Sequence, residues 1–375
     1  MTGAEDGAAV IADKPDPQAF AVRARTGFWF SRAIWLAARF RLADVVEAGP
    51  SSATEIARVS GTHPDSLERL MCALIAAGLF RRDGDGNYWP TPASDLLRSD
   101  HPRSQRALME TLLGGEAFEA WGAIGTSLQT GQTAFDARHG ASWIDYYAAH
   151  PDAGRAFAEA MSDTTRAFEN PILDADPFPE FEFAVDVGGS HGSLLRRLLE
   201  RHSEARGFVF DLPEVIASWP PGTAGELGDR FRGVAGDFFQ AVPENGDLYV
   251  LKFILHDWDD QRAETILRRV REAARPGGRV AIIETVLPES PTEHPGWLMD
   301  LNMLVMTGGR ERTAGQFAAL LKRTRWELER VVPTASPLSV VIASSVGPQA
   351  LETGAPERGG ETPAVSRSEL VEDDC

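Results

Sequence analysis

The run Leu248–Asp260, L-Y-V-L-K-F-I-L-H-D-W-D-D, limits the possible folds more than any other stretch of the chain. Its first half is apolar, β-branched and aromatic, the composition of a strand buried on both faces of a parallel sheet. Its second half sets a histidine, an acid and a tryptophan where that strand ends. Open α/β sheets bind ligands outside the carboxyl ends of their strands. His256 is therefore expected at the mouth of a pocket, with a side chain that exchanges a proton near neutral pH.

Upstream, Phe183–Leu195 reads F-A-V-D-V-G-G-S-H-G-S-L-L. An apolar run leads into Asp186, then Gly188, Gly189 and Gly192, then an apolar helix start. Glycines there let the chain turn sharply and approach a ligand closely. The spacing departs from the dinucleotide fingerprint and suits a ligand without phosphate. A second strand, Gly207–Phe210, ends in Asp211, placed to accept hydrogen bonds from two ribose hydroxyls. A third, near Phe231–Ala235, ends in G-D-F-F. Asp237 there can accept from an adenine amino group, and Phe238 offers a ring face.

Each signal is weak alone, but the ordered series resembles the class I S-adenosylmethionine-dependent O-methyltransferases. Within them it is similar to the small-molecule group of plant caffeate-type and bacterial natural-product tailoring enzymes. The resemblance runs from about Gly27 to Ser344, through D-V-G-G-S-H-G, F-D-L-P-E-V, G-D-F-F, L-K-F-I-L-H-D-W-D-D, P-G-G-R-V-A-I-I-E and G-G-R-E-R-T. It implies that His256 is the base that takes the acceptor's proton, and that Glu284 and Glu311 orient the imidazole. It also implies a site for S-adenosyl-L-methionine lined by Gly188, Asp211, Leu212, Asp237, Phe238 and Lys252. One departure stands out. Ser190 occupies the third of three positions where the family carries glycine, and serine prefers ordinary backbone angles.

The chemistry can be argued from the residues themselves. Methyl transfer from a sulfonium is an in-line displacement by the acceptor oxygen. A phenol has a pKa near 10, so little phenolate exists at neutral pH. A histidine in reach removes the proton as attack proceeds, a gain of roughly a hundred- to ten-thousand-fold. No metal or covalent intermediate is required. Competing assignments exist for the neighbouring acids. Asp257, Asp259 and Asp260 resemble a carboxylate cluster for a hard cation, but at least two are better suited to capping a helix Asp260–Ala274. Glu284 and Glu311 could pair with Arg310 and Arg312, and Lys252, inside an apolar strand, needs a partner or an exit to water.

The formal charge of −18 disfavours nucleic acid and anionic membrane as partners. Two cysteines, Cys72 and Cys375, make no disulfide framework, so a reducing cytoplasm is expected. The acidic N-terminus is no signal peptide, and Arg32, Arg39 and Arg41 interrupt the most apolar region, Gly27–Val46, before it could span a bilayer.

The chain is expected to divide into a disordered lead to residue 17, a winged-helix-like, all-helical dimerisation domain over 18–100 whose cadence includes a short hairpin around Asp83–Tyr88, and a helical linker and pocket wall over 101–175. A doubly wound Rossmann-like α/β domain with an antiparallel edge strand follows over 176–346, then a disordered acidic tail over 347–375. A DNA-binding role for the winged-helix pattern is disfavoured, because the would-be recognition helix, Pro64–Ala77, offers only Arg69 beside Asp65 and Glu68. The family counterpart of this module serves a homodimer. Pocket-wall candidates for an aromatic acceptor are Phe157 and Met161 on one side, with Trp143 and Tyr147 behind them. Asn302, Met303 and Met306 stand on the other side, where methionine adapts to flat ligands. Two rivals are a same-fold enzyme with non-methylating chemistry and a winged-helix regulator.

Overall fold

A computed structural model describes residues 16–47, 49 and 51–347. The expected lead largely precedes this range and the expected acidic tail lies almost wholly beyond it. The first helix, Pro17–Arg39, starts at a proline whose missing N–H costs nothing there, and Asp16 caps it by accepting from the N–H groups of Gln18 and Ala19. Phe20, Phe28, Trp29 and Phe30 on this helix are each more than half exposed. Helices Ala53–Ser60 and Pro64–Ala76 follow. The second ends where Gly78, at φ +77°, turns the chain into the hairpin of β1 (Phe80–Arg82) and β2 (Tyr88–Pro90). The hairpin stands where the winged-helix cadence places one, around Asp83–Tyr88, beside the helices of this domain. Its strand β2 supplies Tyr88, which closes a small core with Leu42, Val46, Ile56, Leu67, Met71 and Leu74.

Six short helices and one long one, Pro151–Asp174, then lead to the sheet. The sheet contains β3 (Phe183–Val187), β4 (Arg206–Asp211), β5 (Phe231–Ala235), β6 (Leu248–Lys252) and β7 (Arg279–Glu284). A separate short pair, β8 (Val286–Leu287) and β9 (Arg312–Thr313), lies outside it, and the sheet closes with β10 (Trp326–Pro333) and β11 (Ser339–Ser345). The strand order is β10-β11-β7-β6-β3-β4-β5. All five residues of β3, Asp186 among them, and the first four of β6 are buried, which explains their largely apolar composition. The antiparallel strand is β11, second from the edge. The edge strand β10 pairs antiparallel to it and so runs with the parallel strands, which corrects the expected placement.

This order creates the site. From β3 the chain winds outward through β4 to β5, then returns to lay β6 on the other side of β3. The helices leaving β3 and β6 therefore part in opposite directions, opening a crevice at the switch point. The glycine turn after β3 and the His-Asp-Trp turn after β6 face that crevice. Among the described residues, no helix is long and apolar enough to cross a membrane.

Candidate active site

On one side of the crevice, Gly188 takes a left-handed φ of +70° and donates its N–H to the Phe210 carbonyl at 2.7 Å. A Cβ there would lie 2.3 Å from the Ile254 Cδ1, so a larger residue would strain the backbone and displace that side chain. At the end of β4, the Asp211 carboxylate accepts from the Ser190 N–H at 2.8 Å and from the Leu212 N–H at 2.8 Å. Each oxygen holds one backbone donor and keeps lone-pair capacity for a diol. Burial raises the Asp211 pKa above the usual carboxylate range, and the two backbone donors oppose that shift. The Asp237 carboxylate accepts from the Phe239 N–H. Phe238 packs edge-on against Phe239 and Trp258. An acid at the end of β4 excludes a phosphate on the sugar, and the glycine turn leaves room for backbone to approach, so the residues fit an uncharged-ribose nucleoside such as S-adenosylmethionine.

Ser190 departs from its expected preference. It lies in the left-handed region at φ +54°. Three contacts hold it there: its N–H on Asp211, its carbonyl accepting from the Trp219 indole at 3.0 Å, and its hydroxyl beside the His191 Nδ1 at 3.2 Å. Lys252 finds its partners in the long helix. Its ammonium donates to the Thr165 hydroxyl at 2.7 Å, and burial lowers its pKa while Asp186 and Glu169 counter that shift.

On the other side, β6 gives way to a 3₁₀ turn, Leu255–Asp257, that buries His256. The imidazole Nδ1 lies 2.9 Å from a Glu311 carboxylate oxygen. Glu284, at the end of β7, accepts from the His256 backbone N–H at 3.0 Å and so fixes the turn rather than the ring. Both glutamates are buried, and neither pairs with Arg310 or Arg312. Arg312 instead is buried and donates to the carbonyls of Leu255 and Trp258, each at 2.9 Å, and to Asp260. The loop ahead of it passes so close that a Cβ on Gly309 would lie 2.0 Å from the His256 carbonyl oxygen. Gly309 thereby admits the segment that delivers Glu311.

Of the three clustered aspartates, Asp259 caps the helix Asp260–Ala273 and Asp260 occupies its first turn. Asp257 does neither. Its carboxylate lies 3.8 Å from the His256 Nε2, a contact hidden in the sequence behind the capping role of its neighbours. Burial pulls the imidazole pKa down, but Asp257, Glu311 and Glu284 outweigh it and raise it to about 9. Burial in turn raises Asp257 to about 6. The arrangement can store a proton on the ring and pass it between Nε2 and a bound acceptor.

The wall candidates fall into two groups. On the long helix, Met161 is half-buried, and Phe157 stacks on Tyr147 at 4.6 Å and leans on Trp143 at 5.6 Å. On the helix Gly296–Met306, Met303 and Met306 are buried, and the Asn302 side-chain amide oxygen (Oδ1) accepts from the Trp121 indole at 3.0 Å. Met306 also packs with Phe135 in the helical cluster of the linker region.

Comparison with known proteins agrees with this geometry. The O-methyltransferase domain family matches residues 121–327, and the O-methyltransferase dimerisation domain matches 22–100. The chain belongs to the S-adenosylmethionine-dependent O-methyltransferases. It is 40% identical to the phenazine O-methyltransferase of Lysobacter antibioticus, over 86% of this chain and 94% of that protein. It is 34% identical to the phenazine-1-carboxylate N-methyltransferase of Pseudomonas aeruginosa, over 85% and 95%. A solved O-methyltransferase from neocarzinostatin biosynthesis, in complex with S-adenosylmethionine and 2-hydroxy-5-methyl naphthoic acid, superposes with a TM-score of 0.71 at 33% identity. That superposition covers 84% of this chain and 96% of that structure. The cofactor of this methyltransferase is S-adenosylmethionine.

An imidazole that acts as a base must be neutral, so for His256 in that role, raised to about 9, activity is expected to climb as pH rises toward that value. Glu311→Gln removes an anion that holds the proton on the ring. The rising limb of kcat/KM against pH is expected to move to lower pH in this variant, with a lower plateau because the ring loses its orienting carboxylate. A limb that stays in place would detach Glu311 from the titration.

Proposed function

We propose that this methyltransferase transfers a methyl group to a phenolic or enolic hydroxyl of an aromatic secondary metabolite, with His256 as the general base. The observation that carries this reading is the imidazole itself. Nδ1 is held by Glu311, which leaves Nε2 as the nitrogen able to take the acceptor's proton. Asp257 beside Nε2 and Glu311 behind Nδ1 then stabilise the imidazolium that forms. When bound, the cofactor supplies an electrophilic methyl on a sulfonium, and holding the acceptor oxygen in line with it supplies much of the remaining rate.

In this reading Asp211 accepts from the ribose hydroxyls, and Asp237 accepts from the adenine amino group beside the face of Phe238. Gly188 and Leu212 shape the backbone around them. Lys252, tied to Thr165, joins the cofactor strand to the helix that bears the acceptor wall. Phe157 and Met161 on that helix, with Asn302, Met303 and Met306 opposite, enclose a flat aromatic acceptor. His256→Ala is expected to lose roughly a hundred- to ten-thousand-fold in methyl transfer to a phenol, with S-adenosylmethionine binding by calorimetry unchanged. Full activity in that variant would remove His256 from the reaction.

We further propose a cytoplasmic homodimer, with residues 18–100 serving dimerisation, 101–175 the linker and wall, and 176–346 catalysis. Support comes from Phe20, Phe28, Trp29 and Phe30, four large apolar side chains each more than half exposed on the first helix, since large exposed apolar patches mark interaction sites. Sedimentation equilibrium is expected to give the mass of two chains, and Trp29→Asp to weaken association. A monomer at micromolar concentration would contradict the assignment.

A further inference from the structure

Phe253 stands between the cofactor strand and His256, and three independent features of it are unusual. Its backbone φ is +56°, and among the described residues outside glycine it is the one apolar side chain in the left-handed region. The others there are Arg41, Asp176, Ser190, Asn245 and Arg325. A bulky side chain takes that conformation only where its surroundings enforce it. Here the Phe253 N–H donates to the Ile283 carbonyl at 3.1 Å, extending the β6–β7 ladder by one step before the chain reverses into the 3₁₀ turn.

The second feature is the ring. Its centroid lies 5.3 Å from that of the His256 imidazole, with the planes 28° apart, a stacked contact. The third is its other neighbours: the Lys252 ammonium, 4.8 Å from the ring centroid, and the Phe168 ring of the long helix at 6.4 Å. The contacts on the imidazole are therefore of two kinds. Glu311 and Asp257 meet its edge and fix one axis within its plane. Phe253 covers a face, and a hydrogen bond at one edge nitrogen leaves the tilt of the ring about that bond free.

We propose that Phe253 is a positioning residue for the base: its left-handed backbone brings its ring onto the imidazole face, fixing the tilt at which Nε2 meets the acceptor. The stack also favours the protonated ring, because an aromatic face attracts a cation. The Lys252 ammonium competes for that ring and links its position to the cofactor strand. This inference rests on the reading of His256 as base.

Three variants separate the ring from the backbone. Phe253→Gly keeps the left-handed turn without strain and removes the ring, Phe253→Leu keeps apolar volume without a π face, and Phe253→Tyr restores the face. In the Gly and Leu variants kcat is expected to fall at least about tenfold, since small misplacements of a catalytic group are costly. Binding of S-adenosylmethionine, by calorimetry, is expected to hold within about threefold. The His256 ring resonances, followed by NMR in the cofactor-free protein, are expected to titrate at lower pH in both, and the rising limb of the kcat profile to move with them. The charged neighbours Asp257, Glu284, Glu311 and Lys252 are unchanged in all three variants, and because Leu keeps apolar cover over the imidazole, the difference between Leu and Tyr separates the π face from the change in burial. Phe253→Tyr is expected to restore both rate and titration. Wild-type kcat and an unmoved titration in Phe253→Gly would overturn the proposal. So would a Tyr variant that binds cofactor normally yet is as slow as Leu. Failure of the base reading shows itself elsewhere, in His256→Ala retaining its rate.

Discussion

The docking of the Gly309–Arg312 segment onto the turn Leu255–Trp258 is the contact on which the remainder of the active site depends. A strand that ends in a 3₁₀ turn leaves carbonyls without partners, and buried unpaired carbonyls are costly. Arg312 meets two carbonyls of the turn, that of Trp258 and that of Leu255, which also accepts from the Trp258 N–H at 3.2 Å, with a guanidinium that is 1% exposed and is balanced by Asp260. The Arg310 N–H answers a third, the carbonyl of His256, at 2.8 Å. Gly309 permits the approach, and the same segment carries Glu311 to the imidazole. One short piece of chain thus pins the backbone of the turn and sets the orientation of its side chain.

The cofactor half of the crevice is built by a different device. Strand order sends β3 and β6 apart at their carboxyl ends, and left-handed residues, Gly188 and Ser190 on one side and Phe253 on the other, bend the chain around the opening. The two halves meet through Lys252, whose bond to Thr165 reaches the long helix carrying Phe157 and Met161. Burial of Lys252 beside Asp186 and Glu169 makes this a shared network, in which removing one charge leaves others unpaired at low dielectric. Lys252 thereby ties the strand that leads to His256 to the helix that carries the proposed acceptor wall.

Much of this was legible in the sequence because the sheet's interior strands are buried on both faces, and their largely apolar runs end in the residues that face the crevice. Phe183–Val187 and Leu248–Lys252 announce themselves in that way, and acids close β4 at Asp211 and β7 at Glu284. The helix following Asp259 could be placed from its cap. Tertiary geometry fixed what the pattern left open. Asp257 was hidden by two neighbouring aspartates with an ordinary role at a helix start. The left-handed conformations of Ser190 and Phe253 contradict local preference and are held by hydrogen bonds donated to Asp211 and Ile283 and accepted from Trp219. The role of Glu284 was read as orienting a ring, whereas its carboxylate holds a backbone N–H, a distinction that no spacing encodes. The reversal of β11 needed the whole sheet to become visible, because a hairpin signal does not say which of its strands meets β7.

The central claim is that His256 removes a proton, and it is tested most directly by varying how tightly that proton is held. Methyl transfer by the wild type and by His256→Ala can be compared across a series of phenols of one shape and falling pKa. The defect of the variant is predicted to be largest for a phenol with a pKa near 10 and to shrink toward nothing once the phenolate predominates in solution. A defect of the same size for every acceptor, acidic or not, would contradict the base assignment and leave His256 a structural residue of the turn.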